Sequence, residues 1–493
     1  MNVIFIETDQ LSAKWLGCYG NPAAHTPNLD KLAATGIRFD NCFANNPVCM
    51  PSRATTITGR SCQHHGVLYN GWELPGDSAT FPKVLQQKGV QTLGVGKFHL
   101  ECHARGAFPD VLKYGFDRAE NTEDTRAGEW LEWVRTNHPD CYEAALATCW
   151  PQDEMREYGP DKINLAEQIL EVSKKNNYTQ NPATSPNNAS GFAFTTCIPE
   201  KACQTTWITG RAIDFIDERD KSKPFFLKVS YVAPHDLYDP PARFLKMIDP
   251  DAIPPPLPGE ELLDMFLDLP FIKHKQYSVE DWKYVRRHYF ALIAFIDEQV
   301  GKLIDHLESI GLRDDTAIIF TSDHGDMMGD HGFPAKGAWH YDGCIRIPLI
   351  INLPGQIEPR VEPQAVSNLD MFQTVTGLFG VEHDVPVEGD NLTSANWQER
   401  PNAVLIETYG SYGSIDPALR ARTVANGQYR YTCFGNGREM LFDLKNDPNE
   451  SYNLTGNEEY ESIMSDLRKL MLDLIADQYI PMPDRNRLPG AGH

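Results

Sequence analysis

The chain has 493 residues, 41% hydrophobic and 23% charged, the composition of a globular protein with one large core and a smaller second unit. Its formal net charge of -23 excludes nucleic acid and anionic membrane surfaces as expected partners. No apolar run approaches the length of a membrane span, so no membrane segment is expected.

The opening "MNVIFIETDQ" has no basic region and no hydrophobic signal core, and reads as cytoplasmic, with a periplasmic location open if a leader was removed. Its apolar segment, residues 2–7, predicts a strand buried on both faces. In "HTPNLDKLAATGIRF", Thr26 can cap a helix, Pro27 fits its first position and Gly36 ends it before another strand. A second capped helix starts near Pro82, stops at Gly89 and leads into a strand ending at Val95. Residues 102–200, rich in Trp, Pro, Asn and Cys, read as an irregular insertion that shapes a pocket. Then come a buried strand in "PFFLKVSYVAPH" and the proline-rich link "DPDAIPPPLPG". Tyr289, Leu292, Ile293, Ile296, Val300, Leu303, Ile304 and Leu307 keep a helical period after that link. With the strands "TAIIFTS" and "IPLIINLPG", the pattern predicts an α/β fold, a mostly parallel central sheet flanked by helices, over residues 1–399. Shorter, turn-rich strands and a helix near 458–477 predict a smaller C-terminal α+β subdomain over 400–493.

In open α/β sheets, ligands bind beyond the carboxyl ends of the strands. The unusual polar residues fall at those ends: Asp9 and Gln10, Lys97 and His99, His235, and Asp323 and His324. Singly, each has an ordinary reading as a turn, a cap or a locally bonded histidine. Their shared position points to a site. Two carboxylates, an amide oxygen and an imidazole suit a hard divalent cation, Ca2+ first with Mg2+ or Mn2+ open, better than zinc.

The stretch "NPVCMPSRATTITGR" places Cys49 beside the start of a helix, with Pro51 in its first turn and Gly59 as its stop. Free N–H groups and the helix dipole favour an anion there, and Arg53 and Lys97 add positive charge. Cys49 has three readings: a buried structural thiol, a thiolate nucleophile, or raw material for another group. A thiolate is stabilised at such a position, but its adduct with an anionic ester would be hard to clear. Eleven cysteines without a CxxC pair indicate neither a disulfide framework nor a zinc site. The sequons at Asn177, Asn188, Asn391 and Asn453 carry no weight in that setting.

"CMPSRATTITGR" resembles the Cys-x-Pro-Ser-Arg…Thr-Gly-Arg motif of the type I sulfatases, in the alkaline phosphatase superfamily. "GVQTLGVGKFHL" is similar to that family's Gly-Lys-x-His segment, and "TSDHGDMMGDHG…KGAWHYDGCIRIPLI" resembles its metal and lysine segment. "LFDLKNDPNESYNL" resembles its C-terminal signature, so the matches run in family order from Asn2 to about Leu454. The resemblance implies that a formylglycine-generating enzyme reads Pro51 and Arg53 and oxidises Cys49 to formylglycine. It further implies that residue 49, hydrated, is the nucleophile and joins Asp9, Gln10, Asp323 and His324 in holding the metal. Arg53 would steady that group, while Lys97 and Lys336 neutralise ester oxygens. His235 would protonate the leaving alcohol, and His99 would take the proton whose loss expels sulfate.

The implied activity is hydrolysis of a sulfate ester of an organic alcohol, phenol or sugar. His340 and Tyr341 are weak candidate contacts to the organic part of such a small-molecule or saccharide substrate, against an ordinary reading of packing for each. Many sulfatases carry an Asp pair where this chain has Asp9-Gln10, and Asn where it has His324. Those two departures resemble phosphonate monoester and phosphodiester hydrolases of the same superfamily, the nearest rival reading. The intact Lys97-Phe98-His99 favours sulfate. A non-catalytic binder of sulfated glycans is a third reading, disfavoured by the complete set of ligands, lysines and histidines.

Overall fold

The structure is a computed structural model that describes residues 1–103, 107–159, 161–175, 193–259, 277–410 and 419–477. Eight strands form its central sheet: β1 (Asn2–Thr8), β2 (Ile37–Phe39), β3 (Gln91–Gly96), β4 (Arg118–Asn121), β5 (Phe225–Ser230), β6 (Thr316–Ser322), β7 (Leu349–Asn352) and β8 (Arg360–Glu362). Their spatial order is β4-β3-β5-β1-β6-β7-β2-β8. The first five are mutually parallel, β7 runs antiparallel to β6 and β2, and β8 is parallel to β2. The register sets Glu7 opposite both Ser230 and Thr321, and Gly96 opposite Ser230. The carboxyl ends of β3, β5, β1 and β6 therefore lie side by side, and the loops that follow them share one sheet end.

Alternating side chains bury both faces of the sheet. Ile4, Ile6, Leu227, Val229, Ile318 and Phe320 cluster with α4 (Gln204–Asp217) and the long α5 (Val279–Ser309). Val3, Phe5, Phe226, Ala317 and Ile319 pack on the other face, against α2 (Cys49–Thr58), α3 (Phe81–Gln87) and α6 (Met371–Leu378). The expected helix α1 spans Pro27–Ala34, but Thr26 makes no capping bond. Asp297 of α5 caps it instead, accepting from Asn28 N at 3.2 Å and Leu29 N at 2.8 Å. A long-range carboxylate has replaced the local hydroxyl, which no local pattern reveals.

The segment 102–200 is less irregular than its composition implies. It adds β4 to the sheet edge and contributes helices Glu129–Asn137, Tyr142–Ala147 and Leu165–Lys175. Trp130, Leu131 and Val134 carry that first helix into the core. The last described part of the chain is an antiparallel meander of β9 (Val404–Thr408), β10 (Ala421–Ala425), β11 (Tyr429–Phe434) and β12 (Glu439–Asp443), followed by α7 (Glu461–Asp477). One face of this smaller sheet packs on α7 through Leu405, Val424, Tyr431 and Leu441. Its other face, Ile406, Met440 and Phe442 among it, meets Phe333, Trp339 and Tyr341 of the larger unit. Among the described residues, no helix is long and apolar enough to cross a membrane.

Candidate active site

Helix α2 begins at Cys49 itself, two residues before Pro51, with extended Val48 as its N-cap. Gly59 closes the helix in the left-handed region at φ 62, its N–H donating to the Thr55 carbonyl at 2.8 Å. Cys49 therefore stands at the positive end of a fully buried ten-residue helix. Lys336 Nζ donates to its Sγ at 2.8 Å, and His324 Nε2 lies 3.2 Å from it. Burial alone would push the thiol up, but Lys336, Lys97, His324 and His235 outweigh it and hold Cys49 well below the ordinary thiol range.

The ligand atoms of Asp9, Cys49, Asp323 and His324 all lie within 4.8 Å of one another. His324 Nδ1 donates to the Gly325 carbonyl at 3.0 Å, which turns the Nε2 lone pair toward the cluster. Burial and the charge of Asp9 push Asp323 up to about 6 despite Arg53, whereas Asp9 stays low because lysines 97 and 336 and His235 overcome its burial. Two buried carboxylates in mutual repulsion, with an oriented imidazole, form a donor set that fits a divalent cation. Gln10 differs from its expected place. Its backbone sits at φ 68, its amide nitrogen donates to Asp326 at 2.6 Å, and its amide oxygen accepts from Lys336 at 2.9 Å.

Arg53 does not reach residue 49. Its donors go to Asp323 at 2.8 Å, Glu7 at 2.9 Å and Asp9 at 3.1 Å, so it ties the carboxylates together. Behind it Lys228 also bonds Glu7, through the same oxygen that Arg53 meets. Lys97 Nζ sits between Asp9 Oδ2 at 2.7 Å and Asp124 Oδ2 at 3.0 Å. His235 is anchored by Nδ1 on the Asp236 carbonyl at 2.6 Å, leaving Nε2 for the cavity. His99 stacks on His103 with ring centroids 4.1 Å apart, and its buried Nδ1 has no hydrogen-bond partner. Burial, His103 and Lys97 push His99 down to about 4, so it is neutral near pH 7.

Of these groups Gln10, His99, His235 and Lys336 line a cavity of about 520 Å³, with His103, Asp124 and Trp150 among its other walls. His340 and Tyr341 are not among its walls. His340 bonds Thr423 and Thr408 with its two ring nitrogens, at 2.7 and 2.6 Å, and Tyr341 stacks on His331 and packs against Phe442. Both turn toward the C-terminal sheet, because the chain reverses after Lys336 to dock there. The substrate-contact expectation for them is withdrawn. Sequence reasoning missed Glu123, Asp124, His103 and Trp150. The first two follow the carboxyl end of β4, and the strand-end rule finds them once that edge strand is recognised.

The fold, a mostly parallel sheet flanked by helices with a C-terminal antiparallel sheet, is that of the alkaline phosphatase superfamily, and solved structures share it over nearly the whole chain. A phosphonate monoester hydrolase of Agrobacterium radiobacter superposes with a TM-score of 0.77 at 24% identity, covering 97% of this chain and 96% of that one. A protein solved in complex with its substrate D-glucosamine-2-N,6-O-disulfate gives 0.69 at 25% identity, covering 99% of both chains. An N-acetylglucosamine-6-O-sulfatase of Bacteroides thetaiotaomicron is 27% identical, over 95% of this chain and 85% of its own length. The sulfatase family model matches residues 1–381, and a model of the N-sulphoglucosamine sulphohydrolase C-terminal region matches 329–477. The chain belongs to the sulfatase family, and so to the sulfuric ester hydrolases.

Proposed function

We propose that this enzyme cleaves a sulfate ester of an organic alcohol, phenol or sugar, with residue 49 as its nucleophile after oxidation of Cys49 to formylglycine. The observation that carries the reading is the seat of Cys49: first residue of α2, in contact with Lys336 and facing Asp9, Asp323 and His324. Formylglycine, once formed and hydrated, offers one hydroxyl for attack and a second through which sulfate is released. A divalent cation, for which Ca2+ suits the carboxylates best and Mg2+ or Mn2+ also fit, would be held by Asp9, Asp323, His324 and residue 49, and supplies charge stabilisation at the ester.

The remaining work falls to the chain's own side chains. Lys336 and Lys97 bring fixed positive charge to the ester oxygens. His235, oriented by its Nδ1 bond, presents Nε2 to protonate the leaving oxygen. His99, held neutral, can accept the proton from residue 49. Arg53 acts at one remove by fixing Asp9 and Asp323. The saccharide substrate named for one solved relative and the sulfatase name of another support a sugar sulfate among the candidates.

Gln10 and His324 favour one rival, a phosphonate monoester or phosphodiester hydrolase. A panel of sulfate esters, phosphodiesters and phosphonate monoesters decides between them. We expect the highest kcat/KM with a sulfate ester. Preference for phosphodiesters by tenfold or more, about 1.4 kcal/mol in transition-state stabilisation, would replace the sulfatase reading.

A further inference from the structure

A carboxylate stands where an anion-binding cavity has no evident need of one. Asp124 Oδ2 is 3.0 Å from Lys97 Nζ and 3.8 Å from His235 Nε2, and its Oδ1 is 3.0 Å from His103 Nε2. Glu123 backs the same group, with Oε2 3.6 Å from His103 Nε2 and Oε1 accepting from the His99 backbone N–H at 3.0 Å. Burial disfavours the Asp124 charge, but His103 and Lys97 overcome it and keep the carboxyl ionised. Burial would likewise depress His103, yet Asp124 and Glu123 lift it to about 10. The cavity wall thus holds a permanent negative charge beside the lysine assigned to the ester.

We propose that Asp124 is a specificity-determining residue that makes this cavity favour monoanionic sulfate esters over dianionic phosphate monoesters. The inference rests on the sulfate-ester reading above. Coulomb energy scales with the product of the charges, so Asp124 repels a dianion twice as strongly as a monoanion at the same distance. Asp124 also shares Lys97 with Asp9, so that part of the lysine's charge is neutralised before a substrate arrives. Removing the carboxylate charge favours the dianion on both counts. A phosphodiester carries the same single charge as a sulfate ester and serves as an internal control.

The test compares wild type and Asp124→Asn, loaded with metal and modified at residue 49, on 4-nitrophenyl sulfate, 4-nitrophenyl phosphate and bis(4-nitrophenyl) phosphate. At about pH 8 the variant's phosphate-monoester to sulfate ratio of kcat/KM should rise at least tenfold. Its phosphodiester to sulfate ratio should stay within about threefold of wild type. At about pH 5 the rise should shrink, because the phosphate monoester regains a proton with a pKa near 6. Asp124→Glu, which keeps the charge, should keep the wild-type ratio. An equal fall for all three substrates would mean that Asp124 only shapes the site, and it overturns the proposal. If Asp124→Asn does not melt cooperatively, His103→Gln carries the test: with Asp124 less neutralised, the phosphate-monoester ratio should fall, and an unchanged ratio overturns the proposal. A wild type without sulfate-ester turnover overturns the sulfatase reading and this inference together. A wild type that prefers sulfate, with an unchanged ratio in the variants, overturns this inference alone.

Discussion

Lys336 and His340 are four residues apart, yet they enter two different buried regions. Lys336 meets Cys49 at 2.8 Å in a cavity where His99 Nδ1, Glu123 Oε2 and Trp150 Nε1 are buried without a hydrogen-bond partner. His340 enters the interface with the C-terminal sheet, and both its ring nitrogens are satisfied by threonine hydroxyls. Buried polar atoms are normally paired, so unpaired ones mark groups whose partner is absent from the chain itself. A closed pair of hydrogen bonds marks a residue that holds the fold. Burial alone does not tell these two histidines apart, since His99 and His340 are both almost fully buried, but their hydrogen bonds do.

The sharpest break of that contrast is at residue 49. Cys49→Ala should lower kcat by at least about a thousandfold, the scale seen when a nucleophile is lost, with little change in melting temperature. Cys49→Ser retains one hydroxyl and should stop after a single turnover, with the peptide around residue 49 carrying the mass of a sulfated serine. In protein from a host that makes formylglycine, the wild-type peptide should carry the mass of an aldehyde. Sustained turnover by the serine variant at near wild-type rate would falsify the formylglycine mechanism, and a fully active unmodified Cys49 would restore the thiolate.

The next effect joins activity to stability. Asp323 and Asp9 sit in mutual repulsion that a divalent cation relieves, so metal should raise the melting temperature as well as the rate. Asp323→Ala should abolish activity and cancel the metal-dependent part of the melting temperature. Chelator-treated wild type that keeps its full rate would remove the metal from the mechanism.

How legible each region is in the sequence follows from how it is built. Asp9, Lys97, His235 and Asp323 follow buried strands that periodicity finds, and the sheet register brings those strand ends together. The opposite wall of the cavity was not legible. Asp124 and Glu123 follow β4, a four-residue edge strand inside a segment whose Trp, Cys and Pro content hides its periodicity. Arg53 lies on the expected helix, and its hydrogen bonds go to carboxylates rather than to residue 49. Its reach to Glu7, near the carboxyl end of β1, depends on which residues lie opposite across the sheet. His340 and Tyr341 pack against the C-terminal sheet, the ordinary reading for both, and only the docking of that sheet decides it over a substrate contact.

That docking carries the smallest effect, and one that leaves the chemistry alone. Burial, helped by Arg430, pushes His340 down to about 3, against about 6.5 in an unfolded chain. Between those values the unfolded state binds the proton and the folded state does not, so stability rises with pH across the window. The contribution is fully present above about pH 6.5 and is lost progressively as the pH falls toward 3. Between about pH 7.5 and pH 5 this single group should cost about 2 kcal/mol, read as a fall in the urea midpoint. His340→Gln can still bond one threonine but has no charge to gain. It should lose some stability at pH 7.5, flatten the acid slope by about that amount, and leave kcat/KM within about threefold. A variant that keeps the full slope would place the titration on another buried histidine. A variant that loses activity while keeping its stability would return His340 to the catalytic side of the loop.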